Sequence, residues 1–365
     1  MLADKTSFAD ILEQIDRIDP VAYSKNRNYT SGAVSNLSPY ISRGVVSGKF
    51  IFETLLSRYS YAQCHTFMKQ LLWREYFQRL QQHFPDVAYR EIKPGQSRKR
   101  GMPLSVMLGK TGITVLDDAI STLYLTGHMH NHVRLYIASL CCTLGKCHFN
   151  APAAWMYYHL SDGDVASNFG SWQWVAGTLT GKPYHANQNN VNEFTHVKQY
   201  HTFLDTAYEE LAVMQIPDVL RETCQPILET ILPDTGLPQL EQGTTLLYTH
   251  YNLDPFWHMD DRAERLLVLE PSHFKKFPIS EFVLKFIITL TGNLQGIKLY
   301  CGEIDALKRA YPDMRFLARE HPLFAHWDVA FDEREWIVPE VKGFYPSFSK
   351  YYKDCQKKLS VYEHR

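Results

Sequence analysis

The sequence predicts a mainly α protein, in which a large helical domain is followed by a smaller α/β domain. Residues 1–235 contain several segments with apolar residues at three- and four-residue spacing, and strand-like alternation is scarce there. Short β-rich runs begin after the segment LPDTGLPQLEQGTT, residues 232–245, which we take as a linker. We therefore expect a helical domain over residues 1–235 and an α/β domain over residues 244–365, a division that a 365-residue chain allows.

The predicted helices follow one another along the first domain. Their sequences are FADILEQIDRI, GKFIFETLLSRYS, CHTFMKQLLWREYFQRLQQHF, VLDDAISTLYLTG and FLDTAYEELAVM. Ser47 and Gly127 are typical of residues at helix ends. The segment REIKPGQSRKRGMP, residues 90–103, is predicted to be a loop because of its proline and glycine residues. The loop carries three basic side chains, Arg98, Lys99 and Arg100. Two interpretations remain open for them: they are solvated, or they contact phosphate.

The predicted strands of the second domain lie in TLLYTHYNL, ERLLVLEP, IKLYCGEI and MRFLARE. A helix is predicted in SEFVLKFIITLTGNL, between the second and third of these runs. This strand–helix–strand order favours a small parallel sheet. No GxGxxG or GxxxxGK[ST] motif opens a helix there, so the sequence indicates no recognisable phosphate cradle in this domain. A final amphipathic helix is predicted in FSKYYKDCQKKL.

The composition is that of a globular protein, with 45% hydrophobic and 21% charged residues. Aromatic residues make up 13%, which is typical either of stacking surfaces for a planar ligand or of an aromatic-rich core. A net charge of -1 gives no global indication of a nucleic-acid partner, although a local basic patch remains compatible with it. The N-terminus lacks a signal-peptide pattern, and the most apolar stretch, FVLKFIITLTG, is too short to span a bilayer. We expect a soluble, cytoplasmic protein without membrane contact.

The cysteines and histidines do not predict a metal site. There are seven cysteines, an odd number without a CxxC pair, and Cys141 and Cys142 are adjacent, so reduced and mostly buried thiols are expected. The histidines 128, 130 and 132 are spaced by two residues, which does not place their side chains on one face of a helix. Separate structural and substrate contacts are therefore the favoured interpretation.

Two carboxylates interrupt the aromatic stretch WMYYHLSDGDVASNFGSWQWV, residues 155–175. Asp162 and Asp164 lie in the break after the predicted helix AAWMYYHL, and Asn168 follows them. Buried carboxylates require a cation or several donors, and Arg134 in NHVRLYIASL is the candidate cation. The alternative is that the two acids cap a helix and that Asn168 is a turn residue.

Several motifs, taken together and in this order, resemble the flavin-binding domain of the photolyase/cryptochrome family. They are S-N-L-S, L-L-W-R-E, G-K-T-G, T-G-x-M-H-N-x-x-R and D-G-D-V-A-S-N-x-G-x-W-Q-W. The resemblance extends over residues 23–192, and its last two motifs are specific to that family. It implies a helical domain that holds FAD folded back on itself. It also implies a short form without the family's N-terminal antenna domain, and we expect no second, antenna chromophore.

The resemblance implies particular contacts with FAD. Arg134 and Asp162 would form a pair beside the flavin ring, Asp164 would face the adenine–ribityl side, and Asn168 would face N5. The helix with Arg74 and Glu75 would lie next to the cofactor. The positions that match diphosphate contacts are Tyr23, Ser35, Asn36, Leu37 and Ser38. A basic residue is usual where Asn36 stands, which implies a looser grip.

The resemblance also implies contacts with a flipped-out pyrimidine dimer and a path for electrons. Trp73 and Trp174 match aromatic walls for stacking, and Asn131 matches a base-edge contact. Gln70 stands where a glutamate is usual, and it is unable to ionise. Three other departures are His128 for tryptophan, Leu135 for methionine, and Phe149 for the middle tryptophan of the electron relay. Trp172 matches the relay tryptophan nearest the flavin, and an alternative route is open through Trp155, Tyr157 or Tyr158.

These features predict a blue-light-driven DNA photolyase that repairs pyrimidine dimers by electron transfer from reduced FAD. The predicted partner is UV-damaged DNA, single- or double-stranded. The first alternative is a cryptochrome-like photoreceptor that binds FAD without repairing DNA. The second is a helical scaffold for protein partners that has lost its flavin.

Overall fold

The computed structural model describes residues 5–95, 98–241 and 243–363. Helices dominate the part of the chain before residue 214. They are α1 (Phe8–Asp16), α2 (Pro20–Asn26), α3 (Ser38–Ser42), α4 (Gly48–Leu56), α5 (Tyr61–His83), α6 (Leu104–Met107), α7 (Thr114–Thr126), α8 (Asn131–Ser139), α9 (Asn150–His159), α10 (Val165–Ala176), α11 (Gln188–Thr195) and α12 (Tyr208–Val213). Two short strands, β1 (Met102–Pro103) and β2 (Thr223–Cys224), form an antiparallel pair.

Local capping explains where the main helices begin and end. The Ser47 hydroxyl accepts a hydrogen bond from the N–H of Phe50 at the start of α4. Ser60 and Gln63 form a reciprocal capping box at the start of α5, the longest helix. Gly127 ends α7 with a φ of 65°, a left-handed conformation that glycine adopts without strain. The predicted boundary roles of Ser47 and Gly127 are therefore confirmed.

The second half of the chain forms a parallel five-stranded sheet; the sequence predicted a parallel sheet with four of these strands, and the short strand Ala330–Asp332 was not predicted. The strands are β3 (Thr244–Tyr248), β4 (Glu264–Leu269), β5 (Ile297–Cys301), β6 (Arg315–Arg319) and β7 (Ala330–Asp332), in the order β5-β4-β3-β6-β7. The intervening and final helices are α13 (Pro271–Lys276), α14 (Glu281–Leu290), α15 (Ile304–Ala310) and α16 (Phe348–Leu359). The predicted internal helix and the predicted final helix thus correspond to α14 and α16.

The sheet packs on the helical part of the chain through one of its faces. Leu246 and Tyr248 of β3 belong to the same core as the helices, whereas Leu247 belongs to a second core on the other face. The two parts are also joined by polar contacts, since the hydroxyls of Tyr157 and Tyr251 lie 2.8 Å apart. Gly44 lies close to the segment that follows β3. A Cβ added to Gly44 would lie 2.3 Å from the carbonyl oxygen of Tyr251, so only glycine fits at this position.

The cysteines are free thiols, and five of the seven are buried, as predicted. Within the described ranges, no set of three or more histidine, cysteine or acidic side chains is arranged to hold a metal ion. No helix among the described residues has both the length and the apolar character required to cross a membrane.

Candidate cofactor and substrate cavity

A cavity of about 560 Å³ lies among α2, α5, α8, α9 and α10. It gathers side chains that are far apart in the sequence, since its lining runs from Tyr23 to Trp174. The predicted site residues that line it are Tyr23, Ser35, Asn36, Ser38, Gln70, Trp73, Arg74, Asn131, Arg134, Asp162, Asp164, Asn168, Trp172 and Trp174. The structure thus places these residues around one common space.

Leu37 differs from the other predicted diphosphate contacts because its side chain lies in the hydrophobic core; a contact through its backbone stays a prediction. Leu37 is fully buried in the hydrophobic core and does not contribute to the cavity lining. Its backbone N–H donates to the Ser35 hydroxyl at 3.4 Å. The segment after it, α3, is only five residues long. Leu37 therefore anchors the S-N-L-S segment, while its neighbours Asn36 and Ser38 face the cavity.

Helix α5 presents two faces with different partners. Gln70, Trp73 and Arg74 line the cavity, because residues three and four apart lie on one side of a helix. Glu75 follows Arg74 directly and points away from the cavity. Its carboxylate accepts hydrogen bonds from the Ile337 N–H at 2.7 Å and from the Tyr351 hydroxyl at 3.3 Å. The helix that carries Glu75 does line the cavity, as expected, but the Glu75 side chain itself binds the C-terminal segment.

Arg134 and Asp162 form an ion pair in the cavity wall. One terminal nitrogen of Arg134 lies 2.9 Å from the Asp162 carboxylate, and its Nε donates to the Met129 carbonyl at 2.9 Å. Burial alone would raise the pKa of Asp162, but the charge and hydrogen bond of Arg134 outweigh it, so that the pKa lies below its ordinary value. The predicted pairing of these two residues is thus present in the structure.

Asp164 forms a second ion pair, which the sequence did not predict. Its carboxylate lies 3.1 Å from a terminal nitrogen of Arg74 and accepts the backbone N–H of Ser167 at 2.7 Å. Burial raises the pKa of Asp164, whereas Arg74 and Ser167 lower it, and the net pKa is about 2. The capping and ion-pair interpretations therefore both hold for this residue, which caps α10 and neutralises Arg74.

Asn168 is held in one orientation by the backbone of α9. Its side-chain N–H donates to the Ala153 carbonyl oxygen at 2.9 Å. The amide nitrogen is therefore engaged, and the amide oxygen remains as the acceptor that this residue offers to the cavity. A ligand group that carries an N–H in this position is the matching partner.

Aromatic side chains form much of the remaining wall. Trp73 stacks on Phe348 with ring centroids 3.8 Å apart, and the Trp174 ring lies 5.7 Å from that of Tyr184. Trp172 lines the cavity and is otherwise buried. Phe149 is fully buried at the start of α9. The walls therefore offer flat apolar surfaces next to the two ion pairs.

Comparison with known proteins identifies the helical part of the chain. Residues 67–225 match the family model of the FAD binding domain of DNA photolyase. This region is a photolyase-type FAD-binding domain. The match contains most of α5 and all of α8, α9 and α10, and hence both ion pairs, whereas Tyr23 and the S-N-L-S segment lie before it.

The relatives of this FAD-binding domain include both photolyases and a cryptochrome. A deoxyribodipyrimidine photo-lyase of Alkalihalophilus pseudofirmus is 31% identical over 205 residues, which cover 54% of this chain and 42% of the relative. Cryptochrome DASH of Synechocystis is 29% identical over 169 residues, covering 42% of this chain and 34% of the relative. A class III photolyase structure from Agrobacterium tumefaciens is 25% identical, with a TM-score of 0.43 and coverage of 48% of this chain and 40% of that one. The chain spans less than half the length of the curated relatives that it matches.

Arg27 is a cavity residue that sequence reasoning missed. It lies at the end of α2, lines the cavity, and donates to the Asn28 side-chain oxygen at 3.0 Å. Among the described carboxylates, none forms an ion pair with it. The signal was present in the sequence, because Arg27 follows Tyr23 by four residues and so shares its helix face.

His128, His130 and His132, which lie in the T-G-x-M-H-N-x-x-R motif, also line the cavity. Burial lowers the pKa of each, and that of His130 falls to about 4, so this imidazole is neutral near pH 7. The ring of His132 contacts the Asn28 carbonyl oxygen through Nδ1 at 2.9 Å. These histidines therefore add neutral hydrogen-bonding groups near the Arg27 end of the cavity.

The loop arginine Arg98 has a structural role. Its guanidinium donates to the carbonyl oxygens of Cys142 at 2.6 Å and Ala176 at 2.7 Å, so it joins the ends of two helical segments. Lys99 and Arg100 are exposed. Of the two interpretations for this basic run, phosphate contact is thus left only to Lys99 and Arg100.

Proposed function

We propose that the chain binds FAD in this cavity and uses blue light to split pyrimidine dimers in UV-damaged DNA. The observation that carries the proposal is the arrangement of Arg134 and Asp162, paired at 2.9 Å in the wall of a cavity that also holds the other predicted contacts. The photolyase-type FAD-binding domain supports it, because the ion pairs and the aromatic walls all lie within the matched range.

The residues present fit FAD in size and charge. A volume of about 560 Å³ is in the range of small-molecule and cofactor sites. Three guanidinium groups line the cavity, those of Arg27, Arg74 and Arg134, against the two carboxylates of Asp162 and Asp164. These five groups together carry one net positive charge, which suits an anionic ligand such as a dinucleotide diphosphate.

The chain's own groups would orient the ring system. The Arg134–Asp162 pair places a cation beside the ring without leaving a buried charge unpaired. The amide oxygen of Asn168 is positioned to accept a ring N–H, because its amide nitrogen is held by Ala153. Bound FAD supplies an electron that light excitation releases. The diphosphate end of FAD would be held by Tyr23, Ser35, Asn36 and Ser38. Arg27, which also lines the cavity, would supply the positive charge that a basic residue usually provides at position 36.

The same cavity offers surfaces for a flipped-out dimer. Trp73 and Trp174 provide the stacking walls, and Gln70 and Asn131 provide hydrogen-bonding groups at its edge. Gln70 both donates and accepts but carries no titratable proton, so it recognises a base without acting as an acid. Trp172 would pass electrons toward the ring during photoreduction.

A second candidate is a cryptochrome-like photoreceptor that binds FAD without repairing DNA. It is favoured by the departures that concern the lesion, Gln70 in place of glutamate and His128 in place of tryptophan. Phe149 in place of a relay tryptophan predicts slower photoreduction under either candidate. Phe149 is fully buried and its phenyl ring is unable to serve as a tryptophan radical site. The repair assay below separates the two candidates.

The test is repair by purified, flavin-loaded protein. Reduced protein is mixed with an oligonucleotide that contains one cyclobutane dimer, then illuminated with blue light or kept dark. We expect the dimer to disappear in the illuminated sample and to persist in the dark. Trp73→Ala should lose this repair activity while its FAD content stays unchanged. Protein that takes up no FAD would refute the cofactor. Protein that holds reduced FAD but leaves both cyclobutane and (6-4) lesions intact would refute repair and favour the photoreceptor.

A further inference from the structure

The C-terminal segment, residues 336–359, packs against the helix that carries the cavity's main aromatic wall. Helix α5 directs Trp73 and Arg74 into the cavity and Glu75, Tyr76 and Arg79 toward this segment. Glu75 and Arg79 lie on a different face from Gln70 and Arg74, because each residue turns about 100° from the last. Tyr76 follows Trp73 by three residues, and the two rings are in contact with centroids 5.8 Å apart.

Several contacts anchor the segment on α5, among them the following. The Arg79 guanidinium lies 3.5 Å from the centre of the Trp336 ring. The Glu75 carboxylate accepts the Ile337 N–H and the Tyr351 hydroxyl, at 2.7 and 3.3 Å. The Tyr76 hydroxyl donates to the Tyr345 carbonyl oxygen at 3.3 Å. Because these anchors precede and overlap the first turns of α16, they determine where that helix lies.

One further contact reaches the cavity wall itself. Phe348, the first residue of α16, stacks on Trp73 with ring centroids 3.8 Å apart and planes 11° apart. Phe348 is 6% exposed and lies outside the cavity lining, whereas Trp73 belongs to that lining. Phe348 is itself backed by Tyr352, whose ring is 5.5 Å away and nearly parallel. Phe348 thus covers an indole face that the cavity does not use.

We propose that Phe348 is a positioning residue that holds the Trp73 indole in the orientation needed to stack on a damaged base. The proposal rests on the proposed function, in which Trp73 is a wall of the lesion site. A stacking surface is effective only when its plane is preset, because a freely rotating ring loses conformational entropy on binding. The C-terminal segment therefore takes part in the recognition of damaged DNA without touching it.

The variants are chosen to separate positioning from general loosening of the segment. Phe348→Ala removes the stacked ring, and Phe348→Tyr keeps an aromatic plane in the same place. Phe344→Ala is the matched control. Phe344 belongs to the region just before α16 and stacks on His83 at the end of α5, with centroids 4.8 Å apart, but it is 41% exposed and does not line the cavity.

Two measurements are made in the dark. The first is the affinity for an oligonucleotide with and without one cyclobutane dimer. The second is the fluorine NMR spectrum of protein labelled with 5-fluorotryptophan, in which Trp73 is assigned among the seven tryptophans with Trp73→Phe. Neither measurement depends on repair, and FAD content is followed in every variant.

We expect Phe348→Ala to bind the damaged oligonucleotide about five- to tenfold more weakly, a factor that corresponds to the entropic cost of ordering one additional side chain on binding. Affinity for undamaged DNA and FAD content should stay unchanged, and the Trp73 resonance should shift or broaden. Phe348→Tyr should restore both readouts, and Phe344→Ala should resemble the wild type. If Phe348→Ala fails to fold, Phe348→Leu against Phe348→Tyr gives the same comparison.

Two results would overturn the proposal. One is a Phe348→Ala variant that binds the dimer as tightly as the wild type or more tightly, the second case meaning that Phe348 competes with the lesion for Trp73. The other is an equal effect of Phe344→Ala. If the wild type does not discriminate damaged from undamaged DNA, the proposed function fails instead. The Trp73 resonance then still decides whether Phe348 holds the indole.

Discussion

Glu75 is the buried acid on which the attachment of the C-terminal segment depends, and its ionisation should control stability. Burial raises the pKa of Glu75 from its ordinary value of 4.5 to about 7, although the Ile337 N–H, Arg79 and the Tyr351 hydroxyl each lower it. A rise from 4.5 to about 7 corresponds to about 3 kcal/mol, at about 1.4 kcal/mol per pKa unit. This is the free energy by which ionisation of Glu75 opposes folding.

The sign of the pH dependence follows from the direction of the shift. Since the folded protein binds this proton more tightly than the unfolded chain, the stabilising contribution is complete below pH 4.5 and is lost as the pH rises through about 7. Glu75→Gln is neutral at every pH and keeps an acceptor for the Ile337 N–H. The stability of Glu75→Gln minus that of the wild type should therefore increase by about 3 kcal/mol between about pH 5 and about pH 8.

The assay is urea unfolding at a series of pH values, followed by tryptophan fluorescence. Taking the difference between variant and wild type cancels the titration of all other groups. Tyr351→Phe removes a donor to the Glu75 carboxylate and so raises the pKa of Glu75. When the protein with Glu75 and the Glu75→Gln variant both carry Tyr351→Phe, the pH midpoint of their stability difference should therefore be higher. Glu75→Ala removes both acceptors and should be destabilising at every pH. A difference between Glu75→Gln and wild type that does not vary with pH would refute this reasoning.

Three further predictions concern the cavity. Asp162→Asn leaves the positive charge of Arg134 without its partner. The free energy of unfolding of the FAD-free protein, measured by urea titration, should therefore fall by about 2 kcal/mol. An unchanged value would contradict the stabilising role of the pair. Trp172→Phe should slow the light-driven reduction of the flavin by a thiol donor, followed by absorbance. Equal rates in variant and wild type would show that Trp172 is not part of the electron path. The alternative route through Trp155 would then remain, and its indole N–H donates to the partly exposed Tyr124 at 3.0 Å. Arg27→Gln should weaken FAD binding about tenfold in a fluorescence titration. The exposed Lys25→Gln, on the same helix, should leave it unchanged, and equal effects of the two would mean only a long-range charge effect.

Helix periodicity explains which site residues were predictable on α5. Gln70, Trp73 and Arg74 all line the cavity because their spacing of three and four residues puts them on one face. Glu75 is adjacent to Arg74 in the motif, but one residue further along turns it toward Ile337 and Tyr351. A motif read as a continuous string thus identifies the helix, and helix periodicity decides which of its residues face the cavity.

Ion pairing between distant segments was only partly predictable. The Arg134–Asp162 pair was predictable because a buried carboxylate requires a cation, and the sequence offered Arg134 as a candidate. The Arg74–Asp164 pair joins residues 90 positions apart and depends on the packing of α10 against α5. Its formation required the tertiary arrangement, because local sequence does not report which helices become neighbours.

The sequence by itself determined the helical and α/β halves of the chain, the helix ends at Ser47 and Gly127, and the motifs that gather around the cavity. Periodicity and capping are local properties, so they can be read from a short stretch of chain. Only the tertiary structure decided that Leu37 is buried in the core, that Arg27 faces the cavity, and that Phe348 lies on Trp73, which it follows by 275 positions. Such contacts are selected by the packing of whole elements into one core, in which each buried surface must find a partner of matching shape.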